Sequence, residues 1–286
     1  MITIRTVAVV GAGTMGLGIA QVCIMSGYST LLVDVNGDQL SKAISIIREQ
    51  LELLVSRGKL GTAQKDESLS RLSSATDLNS VKADLIIEAV VERMSVKQEL
   101  FQYLERNNTI ECILATNTSS LSVCAIASVL KNPERFLGIH FFNPADRMKL
   151  VELIGGTNTQ PEYLFAASEF LISLKKTVVN AKDSPGFIVN RVARPYYVEA
   201  LRLLEEKSAD VATIDALMQA AGFRMGPFAL MDLIGLDTNL AVTQSIFEGF
   251  DRHIRFLPSS IQQHLVEQGK TGIKAGAGFY DYAGKT

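Results

Sequence analysis

His140 is one of only three histidines in the chain and stands in an apolar run, Gly138-Ile-His-Phe-Phe142. Imidazole is the side chain whose ordinary pKa suits proton transfer near neutral pH. A short polar loop opened by Asn143-Pro144 follows. A second apolar run, Leu150-Val-Glu-Leu-Ile154, then carries a single carboxylate, Glu152. Alternate residues of a strand share a face, so Glu152 falls with Leu150 and Ile154. A carboxylate there is costly unless something pairs with it. If the two runs form an antiparallel hairpin centred on Asp146, His140 and Glu152 are equally far from the turn and face each other within cross-strand reach. A histidine held by a glutamate is a general base with a fixed tautomer. A buried histidine satisfied by a structural glutamate has the same pattern, so this stretch alone leaves both open.

The elements that must position this pair are legible upstream. Thr6-Val-Ala-Val-Val10 suits a buried parallel strand. Gly11-Ala-Gly13-Thr-Met-Gly16 follows at once, then a helical pattern to about Ser26 with Gly27 as its C-cap, then a strand, Thr30-Leu-Leu-Val-Asp34. Gly11 permits the tight turn, Gly13 lets a pyrophosphate approach the backbone, and Gly16 lets the helix pack closely on the strand. The helix N-terminus then offers free N–H groups to phosphate. Asp34 can accept hydrogen bonds from the adenosine ribose and would repel a 2′-phosphate, which favours NAD over NADP. A Gly-x-Gly-x-x-Gly run means little alone; here strand, helix and acid all stand where dinucleotide binding needs them.

Asp38 is expected to cap the next helix, whose stripe is Leu40, Ile44, Ile47, Leu51 and Leu54. Arg48, Arg57 and Lys59 fall off the stripe, as a solvated face would place them. The segment from Gly58 to Ser80 is polar and partly helical. Asp84–Val91 reads as a buried strand closed by Glu92 at its carboxyl end, the edge where open α/β sheets bind ligands. Ser95-Val-Lys-Gln98 has the form of a capping box starting a helix to about Asn107. Lys97 in that first turn opposes the helix dipole, which fits a role beyond helix stability, or a solvated lysine. After the strand Cys112–Ala115, the run Thr116-Asn-Thr-Ser-Ser120 either lines a cleft with hydroxyls or makes a plain cap and turn.

A capping box at Thr159-Gln-Pro-Glu162 starts a helix to Leu174, and Thr177–Ala181 reads as the last strand. Asp183-Ser-Pro-Gly186 turns out of the sheet, dividing the chain into domains at 1–184 and 185–286. Beyond it the pattern is helical. Phe187, Asn190, Arg191 and Arg194 share one face of the first helix, and Ile188, Val189 and Val192 the other. Asn190 either points into a cleft or bonds locally. Pro195 should kink or end that helix. Further helices are expected at about 209–221, 227–250 with a break near Gly235, and 259–268. The glycine-rich end from Gly272 to Tyr280 either folds over a ligand or turns before a docked tail. The expected fold class is α/β: a Rossmann-like NAD-binding domain followed by an all-α C-terminal domain.

Composition excludes other classes. The 286 residues are 47% hydrophobic and 20% charged, with 28 basic and 30 acidic side chains and a formal charge of −2. No basic excess points to nucleic acid or an anionic membrane. No apolar run approaches the length of a membrane span, about 18 residues. A strand begins within a few residues of Met1, so no signal or transit peptide is expected. Cys23, Cys112 and Cys124 have neither metal-ligand spacing nor a paired framework, and buried free thiols in a reducing, cytoplasmic setting are expected.

Taken with Glu88-Ala-Val-Val-Glu92, Asn117–Ser120, His140–Pro144, Met148–Glu152, Asp183–Arg191, Met225-Gly-Pro227, Asp232–Thr238 and Gly276–Tyr280, the chain resembles the 3-hydroxyacyl-CoA dehydrogenase family along nearly its whole length. The resemblance extends to the short bacterial 3-hydroxybutyryl-CoA enzymes. It implies NAD as cofactor, an acyl-CoA substrate and a homodimer formed through the helical domain. His140 is similar to the family's catalytic base and Glu152 to the carboxylate that orients it. Ser119 and Asn190 match residues that bind the substrate oxygen. The loop Gly11, Ala12, Gly13, Thr14, Met15 and Gly16, with Asp34, Glu92, Lys97, Asn143 and Lys274, matches the cofactor surroundings. Arg57 stands where a basic residue meets the CoA phosphates. Ala145-Asp146-Arg147, Arg224 and Phe256–Ser260 depart from the usual pattern, which bears on acyl-chain preference and not on the chemistry. A sugar-acid dehydrogenase of the L-gulonate type shares the histidine and glutamate but not the surrounding wording. A catalytically silent NAD-binding protein would have no use for His140, Glu152, Ser119 and Asn190 together.

Overall fold

The runs Val7–Val10, Leu85–Ile87, Ile113–Ala115 and Leu137–Ile139 are apolar because both faces of their strands are covered. In the computed structural model, which describes residues 2–284, an eight-stranded sheet carries these runs at its centre. The strands are β1 (Thr6–Val10), β2 (Ser29–Val33), β3 (Leu72–Ala75), β4 (Leu85–Glu88), β5 (Ile113–Thr116), β6 (Phe136–Phe141), β7 (Leu150–Gly155) and β8 (Thr177–Lys182). Their order is β3-β2-β1-β4-β5-β6-β7-β8. Pairs from β3 to β6 are parallel, β7 runs antiparallel to β6, and β8 parallels β7. Every residue of β4, β5 and β6 is buried. The strand order reverses between β2 and β4 around β1, the switch point where such sheets bind ligands.

Helices α1 (Thr14–Met25), α2 (Gly37–Ser56), α3 (Thr62–Ser70), α4 (Met94–Asn107), α5 (Val123–Ala127) and α6 (Pro161–Ser173) complete this unit, Met1–Asp183. The α2 stripe packs as its spacing dictates, with Leu40, Ile47 and Leu51 fully covered. Strand β3 is the element the sequence hid. Leu72-Ser-Ser-Ala75 is polar because it lies at the sheet edge, where neither face is sealed.

Three expected caps differ. Asn36, not Asp38, caps α2, its Oδ1 accepting from the Asp38 and Gln39 amides at 3.0 and 3.1 Å. Ser95 lies inside the first turn of α4, which starts from Arg93 with no side-chain cap. Thr159 does not box α6: its hydroxyl donates to the Phe136 carbonyl and accepts from the Gly156 amide. Cys23 and Cys112 are buried free thiols, but Cys124 is only half-buried, since it sits at the open side of α5.

The second unit, Ser184–Thr286, holds α7 (Val189–Glu205), α8 (Val211–Ala220), α9 (Pro227–Ile234), α10 (Leu236–Gly249) and α11 (Ser260–Glu267). Pro195 does not end α7, which continues through it as one helix. Gly235, at φ +103°, separates α9 from α10 as expected. Tyr197, Leu201, Ile214, Phe228, Met231 and Leu236 form its core. The glycine-rich end is a docked tail. Asp232, buried on α9, accepts from the Phe279 amide (2.9 Å), the Tyr280 amide (3.0 Å) and the Tyr282 hydroxyl (3.0 Å). Asp232→Ala would leave these donors without their acceptor and destabilise the helical unit by about 3 kcal/mol. An unchanged melting temperature would show that the tail is held otherwise.

Candidate active site

The hairpin register sets the chemistry. Strands β6 and β7 pair so that His140 lies directly opposite Glu152, with Gly138 opposite Ile154. Gly138 has no room for a side chain, since a Cβ there would stand 2.9 Å from Val123 Cγ2. His140 Nδ1 and Glu152 Oε2 are 2.7 Å apart, and the two residues are 5% and 0% exposed. A carboxylate sealed at that distance accepts the Nδ1–H, which leaves the basic lone pair on Nε2. The Phe142 ring packs on the imidazole at a centroid separation of 4.5 Å. Asn143 and Pro144 then open an exposed loop, pinned where Lys176 Nζ donates to the Ala145 and Met148 carbonyls at 2.5 and 2.8 Å. Asp146 and Arg147 lie exposed in this loop, with Arg147 Nε 3.7 Å from Asp146 Oδ2.

The loop after β5 is stitched to this hairpin. Asn117 Oδ1 accepts from the Phe141 amide at 2.9 Å, and the Asn117 amide donates to the Glu88 carbonyl at 2.8 Å. Glu92 then gathers the run that follows. One oxygen accepts from the Thr118 hydroxyl, from the Ser119 amide at 3.1 Å and from the Ser120 hydroxyl at 3.2 Å. The hydroxyl-rich run is therefore a structured bracket around a carboxylate, and Ser119 is half-buried within it.

Of the two readings of Lys97, the solvated lysine does not hold. Its side chain is 1% exposed, with Nζ 2.5 Å from Glu88 and 3.1 Å from Glu92. A lysine in the first turn of α4 opposes the helix dipole because two carboxylates hold it there. Glu88 also accepts from the Thr116 hydroxyl (2.7 Å) and the Val90 amide (2.7 Å). Burial raises the Glu88 carboxyl above its ordinary range, and Lys97 restrains the rise. Burial also pushes Glu92 up, but Lys97 and the Thr118 and Ser119 bonds more than reverse that and hold it low. Glu88 is the member of this cluster to which sequence reasoning gave no role of its own. Its signal was the one that exposed Glu152, a carboxylate inside an apolar strand.

The glycine loop fits a dinucleotide. Gly11 sits at φ +105°, and a Cβ there would stand 2.6 Å from the Ala89 carbonyl oxygen. A Cβ on Gly16 would collide with the Gly11 carbonyl, whereas Gly13 faces open space. No side chain caps α1, so the first-turn amides around Thr14 and Met15 are available to an anion. Asp34 anchors the loop through the Ala12 amide at 2.8 Å and its own strand end through Asn36 at 2.9 Å. A cavity of about 790 Å³ runs along this edge, lined by Gly11, Gly13, Asp34, Val35, Val91 and Tyr103 among others.

Other expected residues belong to other elements. Arg57 is exposed at the end of α2, about 30 Å along the helix from its Asn36 cap at 1.5 Å per residue. In the helical unit, Asn190 is half-buried in the first turn of α7, Lys274 is exposed in a single turn at Ile273–Ala275, and Arg224 is exposed ahead of α9.

Comparison with known proteins agrees with this arrangement. Residues 6–184 match the 3-hydroxyacyl-CoA dehydrogenase NAD binding domain, and residues 186–282 match the C-terminal domain of the same family. The chain is 49% identical over 284 residues to the 3-hydroxyadipyl-CoA dehydrogenase of Escherichia coli K12, covering 99% of this chain and 60% of that protein. A crystal structure of 3-hydroxybutyryl-CoA dehydrogenase from Escherichia coli K12 superposes with a TM-score of 0.96 at 48% identity, covering 99% of this chain and 61% of that one. The (S)-3-hydroxybutyryl-CoA dehydrogenase PaaH1 of Ralstonia eutropha does so at 0.93 and 37%, covering 98% and 99%. The chain thus spans about three fifths of the length of the Escherichia coli proteins.

Two substitutions probe the cofactor edge. Gly16→Ala should weaken NADH binding at least tenfold by driving α1 off the glycine turn, read by titration of NADH fluorescence. Lys97→Met should destabilise the first unit by about 3–5 kcal/mol, because it strands two carboxylates. A melting temperature within a degree of the parent would mean that the triad carries no such load.

Proposed function

Because the chain belongs to the 3-hydroxyacyl-CoA dehydrogenase family, we propose that it interconverts (S)-3-hydroxyacyl-CoA and 3-oxoacyl-CoA on short acyl chains such as 3-hydroxybutyryl and acetoacetyl. The observation that carries this reading is the imidazole–carboxylate pair, 2.7 Å apart, set across β6 and β7 beside the loop that Glu92 organises.

In the oxidising direction a proton leaves the 3-hydroxyl as C3 gives up a hydride. NAD, when bound, accepts that hydride at its nicotinamide ring. His140 Nε2 takes the proton, and Glu152 stabilises the imidazolium that forms while keeping the ring from turning. Ser119 and Asn190 hold the reacting oxygen and thioester in line. Glu92 sets the Ser119 backbone, and Lys97 acts through Glu92. The turn from Gly11 to Gly16 takes the pyrophosphate, and Asp34 takes the ribose hydroxyls. Asn143 and Lys274 complete the cofactor surroundings, and Arg57 meets the CoA phosphates.

A homodimer through the helical unit belongs to the same proposal. It is supported by large apolar side chains left in solvent there: Val192 is 73% exposed, Leu217 63% and Ile254 66%. These include the face of α7 that carries Ile188 and Val192. Three free cysteines support a reducing, cytoplasmic setting, and no helix among the described residues is long and apolar enough to cross a membrane.

NADH absorbance separates the rivals: acetoacetyl-CoA should be reduced, free acetoacetate should not, and L-gulonate with NAD should give no signal. His140→Gln should lower kcat by about 10²–10⁴ with NADH affinity kept. Retention of most of kcat would remove His140 from the role.

A further inference from the structure

Helix α6 ends in a left-handed turn made without glycine. Lys175 sits at φ +59°, its amide donating to the Ile172 carbonyl at 2.8 Å and the Lys176 amide to the Leu171 carbonyl at 3.1 Å. Such a helix end favours glycine, so a lysine there carries a backbone cost. The turn directs Lys176 at the loop between β6 and β7, where its Nζ donates to the Ala145 carbonyl at 2.5 Å and the Met148 carbonyl at 2.8 Å. These carbonyls belong to one short coil of backbone, in which the Arg147 and Met148 amides both donate to the Pro144 carbonyl, at 3.1 and 2.9 Å. Carbonyls at the end of a single turn have no partner of their own, and a cation is a donor that suits them. The Thr177 amide, next along the chain, holds the Lys149 carbonyl at 2.8 Å. The coil is also seated on α1. Ala145 is buried, and a Cβ on Gly18 would stand 3.2 Å from the Ala145 Cβ. Burial draws the Lys176 ammonium below its ordinary range, and the Asp146 carboxylate opposes that.

We propose that Lys176 is a positioning residue for cofactor binding: it clamps the β6–β7 loop so that Asn143 is held against the dinucleotide. The inference rests on the reading that Asn143 meets the cofactor, and every group it uses lies in the first unit. The ends of the loop are fixed without Lys176. His140 is set by Glu152 and the strand register, the Phe141 amide by Asn117, and Leu150 by the start of β7. Between these ends Asn143 and Pro144 are exposed, and they lead directly into the coil that Lys176 closes. Removing the ammonium frees that coil and leaves the histidine in place, so the loss falls on cofactor affinity and not on proton transfer. The clamp also ties the histidine hairpin to the helix that starts at the phosphate turn, and one bound dinucleotide must touch both.

The test is titration of the protein with NADH, read by fluorescence, beside kinetics with acetoacetyl-CoA. Lys176→Met keeps the stem and removes the donors. It should raise both Kd and KM for NADH about 3- to 10-fold, the net worth of one hydrogen bond, with kcat at saturating NADH within about twofold of the parent. Lys176→Arg, which can donate to the same carbonyls, should recover most of the loss. Asn143→Ala should weaken NADH binding by itself, and Lys176→Met should add little in that background. Unchanged NADH affinity in Lys176→Met, or a lower melting temperature with affinity kept, overturns the clamp. So does a full additional loss in the Asn143→Ala background. Unchanged affinity in Asn143→Ala removes the reading of Asn143, and the clamp with it. Should Lys176→Met not fold, amide exchange in the parent decides. The Arg147 and Met148 amides should exchange slowly before any NADH is added, and exchange as fast as in an unstructured peptide overturns the clamp.

Discussion

A carboxylate sealed inside a sheet must be met by something, and in β7 that partner is a single ring on the neighbouring strand. The pairing of Glu152 with His140 is a demand of electrostatics before it is a device for catalysis. It fixes which nitrogen carries the proton and which keeps the lone pair. It also makes the hairpin register consequential, because sliding one strand by a residue would turn the ring and the acid to opposite faces. The fully buried strand β5 on one side, and Gly138 pressed against Val123, leave no slack for such a slip.

The same logic recurs one strand pair away with different bookkeeping. Glu88 and Glu92 share one ammonium, so the two carboxyls outnumber their cation. Hydroxyls and amides from Thr116, Thr118, Ser119 and Ser120 offset the excess. The two acids respond in opposite directions because Glu88 is wholly enclosed whereas Glu92 keeps an edge in solvent. Through Asn117 and the Phe141 amide, this bracket and the histidine strand form one hydrogen-bonded frame. Strand ends and short loops tied by charged hydrogen bonds make up this frame, with no single bond carrying it.

What the residues disclosed beforehand follows from how far each signal acts. Period-two alternation and glycine spacing are local, and they revealed the hairpin pair, the phosphate turn and most strands. The antiparallel register of His140 with Glu152 needed only parity and a turn centre. Caps were misread because several neighbouring side chains compete for the same amides. Asn36 outcompetes Asp38 by bonding two of them at once, and Thr159 is drawn off to the Phe136 carbonyl. The burial of Lys97 was unreadable because its partners come from the end of β4 and the loop that follows it, and the edge strand β3 lacked the apolar pattern that two covered faces impose.

The three thiols carry a practical consequence. Burial pushes Cys23 and Cys112 up to about 12, so neither forms thiolate at ordinary pH. Cys124 alone keeps a solvent-facing edge on α5, with the Thr157 amide directed at its sulfur from 3.2 Å. Alkylating reagents therefore meet a molecule with one addressable atom, and a fluorophore or spin probe can be attached there stoichiometrically without engineering any cysteine away.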